Sequence, residues 1–198
     1  MHAVLAKSGI PVTRSDIFGP GGGIWLDGLP LGQPYAGKVA SLRALTGVLD
    51  GEISRLEEQA AAMLAGDRGY AAIRQLPGIG PVLGAVICAE TGDITRFRTP
   101  GQLCSWAGLT PRHYESDTKV IRGHVSKQGS RMLRWAVTEA IQRQPAGTKP
   151  QQVKDAIIAR RGAGARNIAK TAAARQLLTQ VFYSMRDGHI RRVTSQAA

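Results

Sequence analysis

Cysteine is nearly absent from this chain. There are two, Cys88 and Cys104, in apolar surroundings and at a spacing that matches no zinc pattern. Two thiols make no disulfide scaffold, so a reducing cytoplasm is the expected setting. No apolar run is long enough to cross a bilayer, and Lys7, Gly9 and Pro11 interrupt any secretory core behind Met1. A soluble, untargeted protein with no membrane partner is therefore expected. The common hydrolytic signatures are also missing: no Gly-x-Ser-x-Gly, no His-Glu-x-x-His, no phosphate-binding P-loop and no Cys-x-x-Cys. Acidic residues are few beyond residue 95, where Glu115, Asp117, Glu139, Asp155 and Asp187 lie scattered. A two-metal nuclease needs clustered carboxylates, so self-contained metal-dependent cleavage is not expected, and no metal ligands are assigned.

What is present is positive charge, and it is one-sided. The net charge is +12, from 26 Lys and Arg against 14 Asp and Glu. Residues 1–95 hold 7 basic and 9 acidic residues, leaving 19 and 5 for residues 96–198. Such asymmetry is the electrostatic footprint of a polyanion-binding surface, because each phosphate neutralised by a cation releases condensed counterions. A solvated basic face kept for solubility is the alternative on charge alone.

The chain reads as mainly α, in three parts. Residues 1–38 are punctuated by Gly19-Pro20-Gly21-Gly22-Gly23, Pro30 and Pro34, which oppose long regular elements. Residues 2–7 resemble the tail of an element that begins further upstream. Over 39–66, Leu42, Leu45, Leu49, Ile53, Leu56, Ala60 and Met63 recur at three- and four-residue steps. That spacing predicts a long amphipathic helix, either core-facing or a coiled coil that pairs copies of the chain. Residues 67–198 are expected to form a helical domain. Thr99-Pro100-Gly101-Gln102 supplies an N-cap, a proline at the first helical position and a returning glutamine. Residues 109–129 are polar, basic and irregular or hairpin-like. A helix from about Ser130 carries Leu133, Ala136, Val137, Ala140 and Ile141 on one face, and a last long helix is expected to turn Ile168, Ala172, Leu178, Val181, Phe182 and Met185 inward.

Two segments carry possible chemistry. Leu76-Pro77-Gly78-Ile79-Gly80-Pro81 between short helices resembles a helix-hairpin-helix, in which Gly78, Ile79 and Gly80 would bring backbone N–H groups to a phosphate. The alternative is a tight helical turn with no ligand. The second segment runs from Arg112 through Lys119, Arg122, Lys127, Arg131 and Arg134. Lys127, Arg131 and Arg134 crowd a helix start, where the macrodipole disfavours cations and a bound phosphate would relieve the conflict. Lys127 shares that helical face only if the helix begins near Ser126; otherwise it projects from the loop. Ser116 lies within this basic stretch, where a serine is ordinarily solvated or capping but can attack a phosphodiester once deprotonated. His113 and His124 are acid–base candidates that more simply contact phosphate or solvent.

The order and spacing of further motifs point to a family. Leu76-Pro77-Gly78-Ile79-Gly80-Pro81, Glu90-Thr91-Gly92-Asp93-Ile94 with Phe97, Trp106-Ala107-Gly108-Leu109-Thr110-Pro111-Arg112, Ser116, Val125-Ser126-Lys127-Gln128-Gly129 and Leu133-Arg134 resemble the C-terminal domain of IS110 insertion-sequence transposases, with their IS116 and IS902 relatives. Residues 2–5, 9–10 and 26 are similar to the family's interdomain segment, and Arg175-Gln176-Leu177-Leu178 to its terminal helix.

The resemblance implies a mechanism. Family members pair an upstream RuvC-like domain, whose carboxylates hold magnesium, with a C-terminal domain that supplies a serine. Here that serine is Ser116, which attacks a DNA phosphodiester to give a covalent phosphoserine. Asp117-Thr118 stands where the family often has a glycine-containing pair. The resemblance also implies an element-encoded guide RNA that chooses DNA by base pairing. No cofactor is expected on this chain alone, magnesium belonging to the upstream domain, and strand exchange is expected to need that domain. A non-catalytic nucleic-acid-binding remnant is the competing expectation; a helix-hairpin-helix repair factor accounts for less of the sequence.

Overall fold

The computed structural model describes the backbone of residues 1–116 and 119–191, and the side chains of these residues except 113–122. The fold is mainly helical, as expected, with a single two-stranded sheet among the described residues. Two compact units divide at residue 56, within a long helix.

The first unit holds α1 (His2–Lys7), α2 (Pro20–Asp27) and most of α3 (Tyr35–Met63). Its small core is Leu5, Leu26 and Val39. The glycine-rich punctuation does keep α1 and α2 short, yet Pro20-Gly21-Gly22-Gly23 opens a helix rather than a loop. Pro20 fits the first helical position because its missing N–H would have had no partner there. Gly22 is required by packing: a Cβ would stand 2.5 Å from the Ile17 backbone. Helix α3 begins at Tyr35, four residues before the sequence-based start, and runs 29 residues, about 44 Å at the α-helical rise. Its row of Leu45, Leu49, Ile53 and Leu56 is about half exposed.

The second unit is built around α9 (Arg166–Asp187), which packs against α4 (Arg68–Ile73), α6 (Pro100–Trp106), α7 (Arg131–Gln142) and α8 (Lys149–Arg161). Helix α5 (Pro81–Thr91) packs on α4 and α7. Thr99 caps α6 by accepting from the Gln102 N–H, and Gln102 accepts from the Arg98 N–H, so both orphan donors are satisfied. Leu133, Ala136, Val137, Ala140 and Ile141 all turn into the core, as their spacing predicts. On α9 the inward row is Ala169, Ala173, Ala174, Leu177, Leu178, Val181 and Phe182. Ile168 departs from expectation: it is 53% exposed. It stands ten residues from Leu178, roughly 80° round the helix, off the buried face. Among the described residues no helix is long and apolar enough to cross a membrane.

Both cysteines are buried and free. Burial, and secondarily the negative charge of Asp67, pushes the Cys88 thiol up to about 12; burial also raises Cys104. A neutral thiol favoured by the fold stabilises fully below about pH 8.5, where the unfolded thiol titrates. That contribution is lost as pH climbs through about 12. Native protein at pH 8 is therefore expected to resist a disulfide reagent that labels both thiols at once in denaturant. The alkaline fall in denaturation midpoint is expected to be shallower in Cys88→Ala; equal slopes would remove the thiol from the account.

Candidate nucleic-acid interface

Strands β1 (Pro111–Ser116) and β2 (Lys119–Val125) pair antiparallel. Pro111 faces Val125, His113 faces Arg122 and Ser116 faces Lys119. Between Pro111 and His113 the register shifts: two steps on β1 match three on β2, the mark of a bulge that adds twist. Ser116 is thus the last residue of its strand. Asp117 and Thr118 lie outside the described residues, as do the side chains of Ser116, Lys119 and Arg122.

The hairpin's base is fixed by main chain. The Ser126 N–H donates to the Thr110 carbonyl at 2.8 Å, the Lys127 N–H to Gly108 at 3.1 Å and the Ser130 N–H to Trp106 at 2.9 Å. Two glycines permit this approach. Gly108 has φ +67°, and a Cβ there would lie 2.2 Å from the Gln128 carbonyl oxygen. Gly129 has φ +84°, and its Cβ would lie 1.9 Å from that of Trp106.

Around this base the predicted cations separate into two kinds. Arg112, Lys127 and Arg131 are exposed. Arg112 reaches the Ser126 carbonyl at 3.4 Å. Lys127 sits in the loop with φ +53°, because α7 starts only at Arg131. Arg134 is half-buried and its Nη1 donates to the Ala107 carbonyl at 2.9 Å, closing the end of α6. The strain expected from cations at the start of α7 has an internal answer that sequence spacing did not reveal. Ser130 caps the helix by accepting from the Leu133 N–H, and its Oγ donates to the Glu90 carboxylate at 2.7 Å. An anion from the end of α5 already complements that helix terminus.

The Pro77–Pro81 turn also divides. Gly78, at φ +83°, lets its backbone meet the Ala140 carbonyl, which a Cβ would approach to 2.3 Å; Gln144 Nε2 donates to the Pro77 carbonyl. Ile79 is buried in the core, and its N–H donates to Leu76 at 3.1 Å. Gly80 has open space around it and caps α5, with Pro81 first in the helix. The N–H groups of Val82 and Leu83 are the first-turn donors that no helical carbonyl reaches. Gly78 packs near Ala140 and the hairpin base near Arg131, so about 14 Å of α7 lies between them. Among the described residues the turn and the base of the hairpin thus stand apart along α7.

Among the described residues no group of three His, Cys, Asp or Glu converges. Glu90 is held by Ser130, Asp93 accepts from the Thr95 N–H and hydroxyl, and Asp187 pairs with Arg186 and Arg191.

Residues 70–155 match a family described as Transposase IS116/IS110/IS902. A probable family 20 transposase of Pseudomonas aeruginosa is 33% identical over 105 residues, covering 53% of this chain and 31% of the relative. The insertion element IS116 44.8 kDa protein of Streptomyces clavuligerus is 32% identical over 116 residues, 58% of this chain and 29% of its own. The transposase for insertion sequence element IS1111A of Coxiella burnetii is 32% identical over 85 residues, 43% and 23% respectively. The matched stretch thus spans less than a third of each of these relatives.

Proposed function

We propose that this chain, whose residues 70–155 match the IS116/IS110/IS902 transposase family, handles DNA in transposition and presents Ser116 as the nucleophile. The observation that carries this reading is the hairpin. Its first strand ends on Ser116, and exposed Arg112, Lys127 and Arg131 stand at its base. Attack by Ser116 Oγ forms one O–P bond and breaks one backbone P–O bond, releasing a sugar hydroxyl that takes up a proton. Bond number is conserved, so a second strand's hydroxyl can reverse the step without an external energy source. The cations counter the charge that builds on the phosphate oxygens. The Gly80 end of α5 holds a second backbone phosphate and fixes register rather than reading sequence.

Partners follow from the same reading. Magnesium would be held by carboxylates elsewhere than among these residues, and a guide RNA would choose the DNA by pairing. The exposed row of Leu45, Leu49, Ile53 and Leu56 on α3 supports pairing with a second copy of the chain.

The experiment incubates the full chain with supercoiled donor DNA, magnesium, the element's RNA and a relative's carboxylate-bearing domain supplied in trans. A denaturation-resistant adduct on the tryptic peptide of residues 113–119 is expected. DNA binding is expected to weaken steeply with salt. Salt-sensitive binding with no adduct would leave a nucleic-acid-binding remnant, and a flat salt response would remove the phosphate contacts altogether.

A further inference from the structure

A cleft of about 620 Å³ opens in the second unit between the end of β2 and the first half of α9. Its size falls within the roughly 300–1,000 Å³ of sites that enclose one small organic group. Lys127, Arg161 and Arg175 line it, and among the described residues no carboxylate does. None of the three cations takes part in an ion pair among the described residues. On α9, Asn167, Thr171 and Arg175 recur every four residues and form a polar ridge. Ile168 and Ala172 make an apolar ridge beside it, facing Val125, Pro111 and the exposed His124 across the cleft.

We infer that this cleft holds an unpaired stretch of nucleic acid, its phosphates on Lys127, Arg161 and Arg175 and a base against Ile168, Ala172 and the His124 ring. The inference rests on the DNA-handling reading above and deepens it. A duplex keeps its bases stacked inside and would offer only phosphates, leaving the apolar ridge facing water. A single strand supplies charge and flat apolar surface together, which is what grooves for unpaired nucleic acid combine. The half-exposed Ile168 then has a purpose that core packing does not give it. Arg161, Asn167, Thr171 and Arg175 also lie beyond the matched residues 70–155, so this surface extends past the family segment.

The test measures fluorescence anisotropy of the full chain with 12-nucleotide dT and rU oligomers and with a 12-base-pair duplex, across a salt series. Arg161→Ala with Arg175→Ala is expected to weaken single-strand binding at least tenfold and lower the log–log salt slope by about 2. Ile168→Ser, a neutral change at an exposed position, is expected to weaken single strands roughly tenfold and leave the duplex within twofold. Lys38→Ala with Lys154→Ala removes equal charge outside the cleft and should reproduce neither pattern. A preference for dT or for rU would support the inference and name the strand. Equal losses for single strand and duplex, or cleft variants matching the charge control, would overturn it while the DNA-handling reading stands. Absence of salt-sensitive binding by the unmodified chain would overturn both.

Discussion

Ser116→Ala is expected to abolish the covalent protein–DNA adduct, lowering its rate of formation by more than about a thousandfold. DNA affinity is expected to stay within twofold. The two effects separate because they have different physical origins. Affinity comes from cations and freed counterions, and a neutral hydroxyl contributes to neither. Adduct formation needs one particular oxygen at phosphorus, and alanine has none to give. The register supports a benign substitution: Ser116 is the terminal pair of the hairpin, facing Lys119, so few ladder bonds depend on it. The check is a denaturing gel of labelled donor DNA run beside a binding titration. An adduct that survives the substitution would move the nucleophile elsewhere; loss of affinity in parallel with the adduct would make Ser116 a contact rather than a reactant.

Gly129→Ala is expected to destabilise the second unit by about 3–5 kcal/mol, among the largest effects of any single change here. Left-handed backbone alone costs an L-residue about 1–2 kcal/mol. The rest comes from place. An added methyl would stand 1.9 Å from the Trp106 carbonyl oxygen, the acceptor for the Ser130 N–H at 2.9 Å. Either that bond breaks or the cap of α7 shifts with Ser130, leaving partly buried polar groups unpaired. Gly162 provides the comparison. It has φ +77° but no neighbour within 4 Å of an added Cβ. Its ψ of 175° lies in a region open almost only to glycine, so Gly162→Ala should cost the backbone part alone, about 1–3 kcal/mol. Chemical denaturation of the two variants decides the matter; equal losses would show that close approach at Gly129 contributes nothing.

Most helices were legible because their signals are local. The Thr99 cap, the proline at position 100 and the apolar spacing of α7 each act within a few residues, so sequence alone carries them. Contacts across the fold were not legible. Gly78 looked like a phosphate-approach glycine, yet its conformation also serves the Ala140 carbonyl, 62 positions away. Glu90 stands in the sequence only as part of a family motif, yet it accepts from the Ser130 hydroxyl that caps α7. The face of α9 was placed correctly at Leu178, Val181 and Phe182 but not at Ile168, because large apolar residues outweighed the alanines that actually line the packed side. Neither Arg161 nor Arg175 stands out in the sequence as a ligand-binding cation, because nothing local distinguishes a cation that lines a cleft from one that faces solvent.

Several arginines of the basic half are already committed. Arg134 holds Ala107, Arg96 stacks between Phe97 and Trp106, and Arg186 and Arg191 share Asp187 and the Tyr183 ring. Their charge still adds to the long-range field that draws a polyanion in, but their N–H groups are partly spent. Arrival and departure therefore answer to different sets of residues. Encounter rate follows the whole excess of positive charge, whereas residence time follows the smaller set of cations with hydrogen bonds left to give.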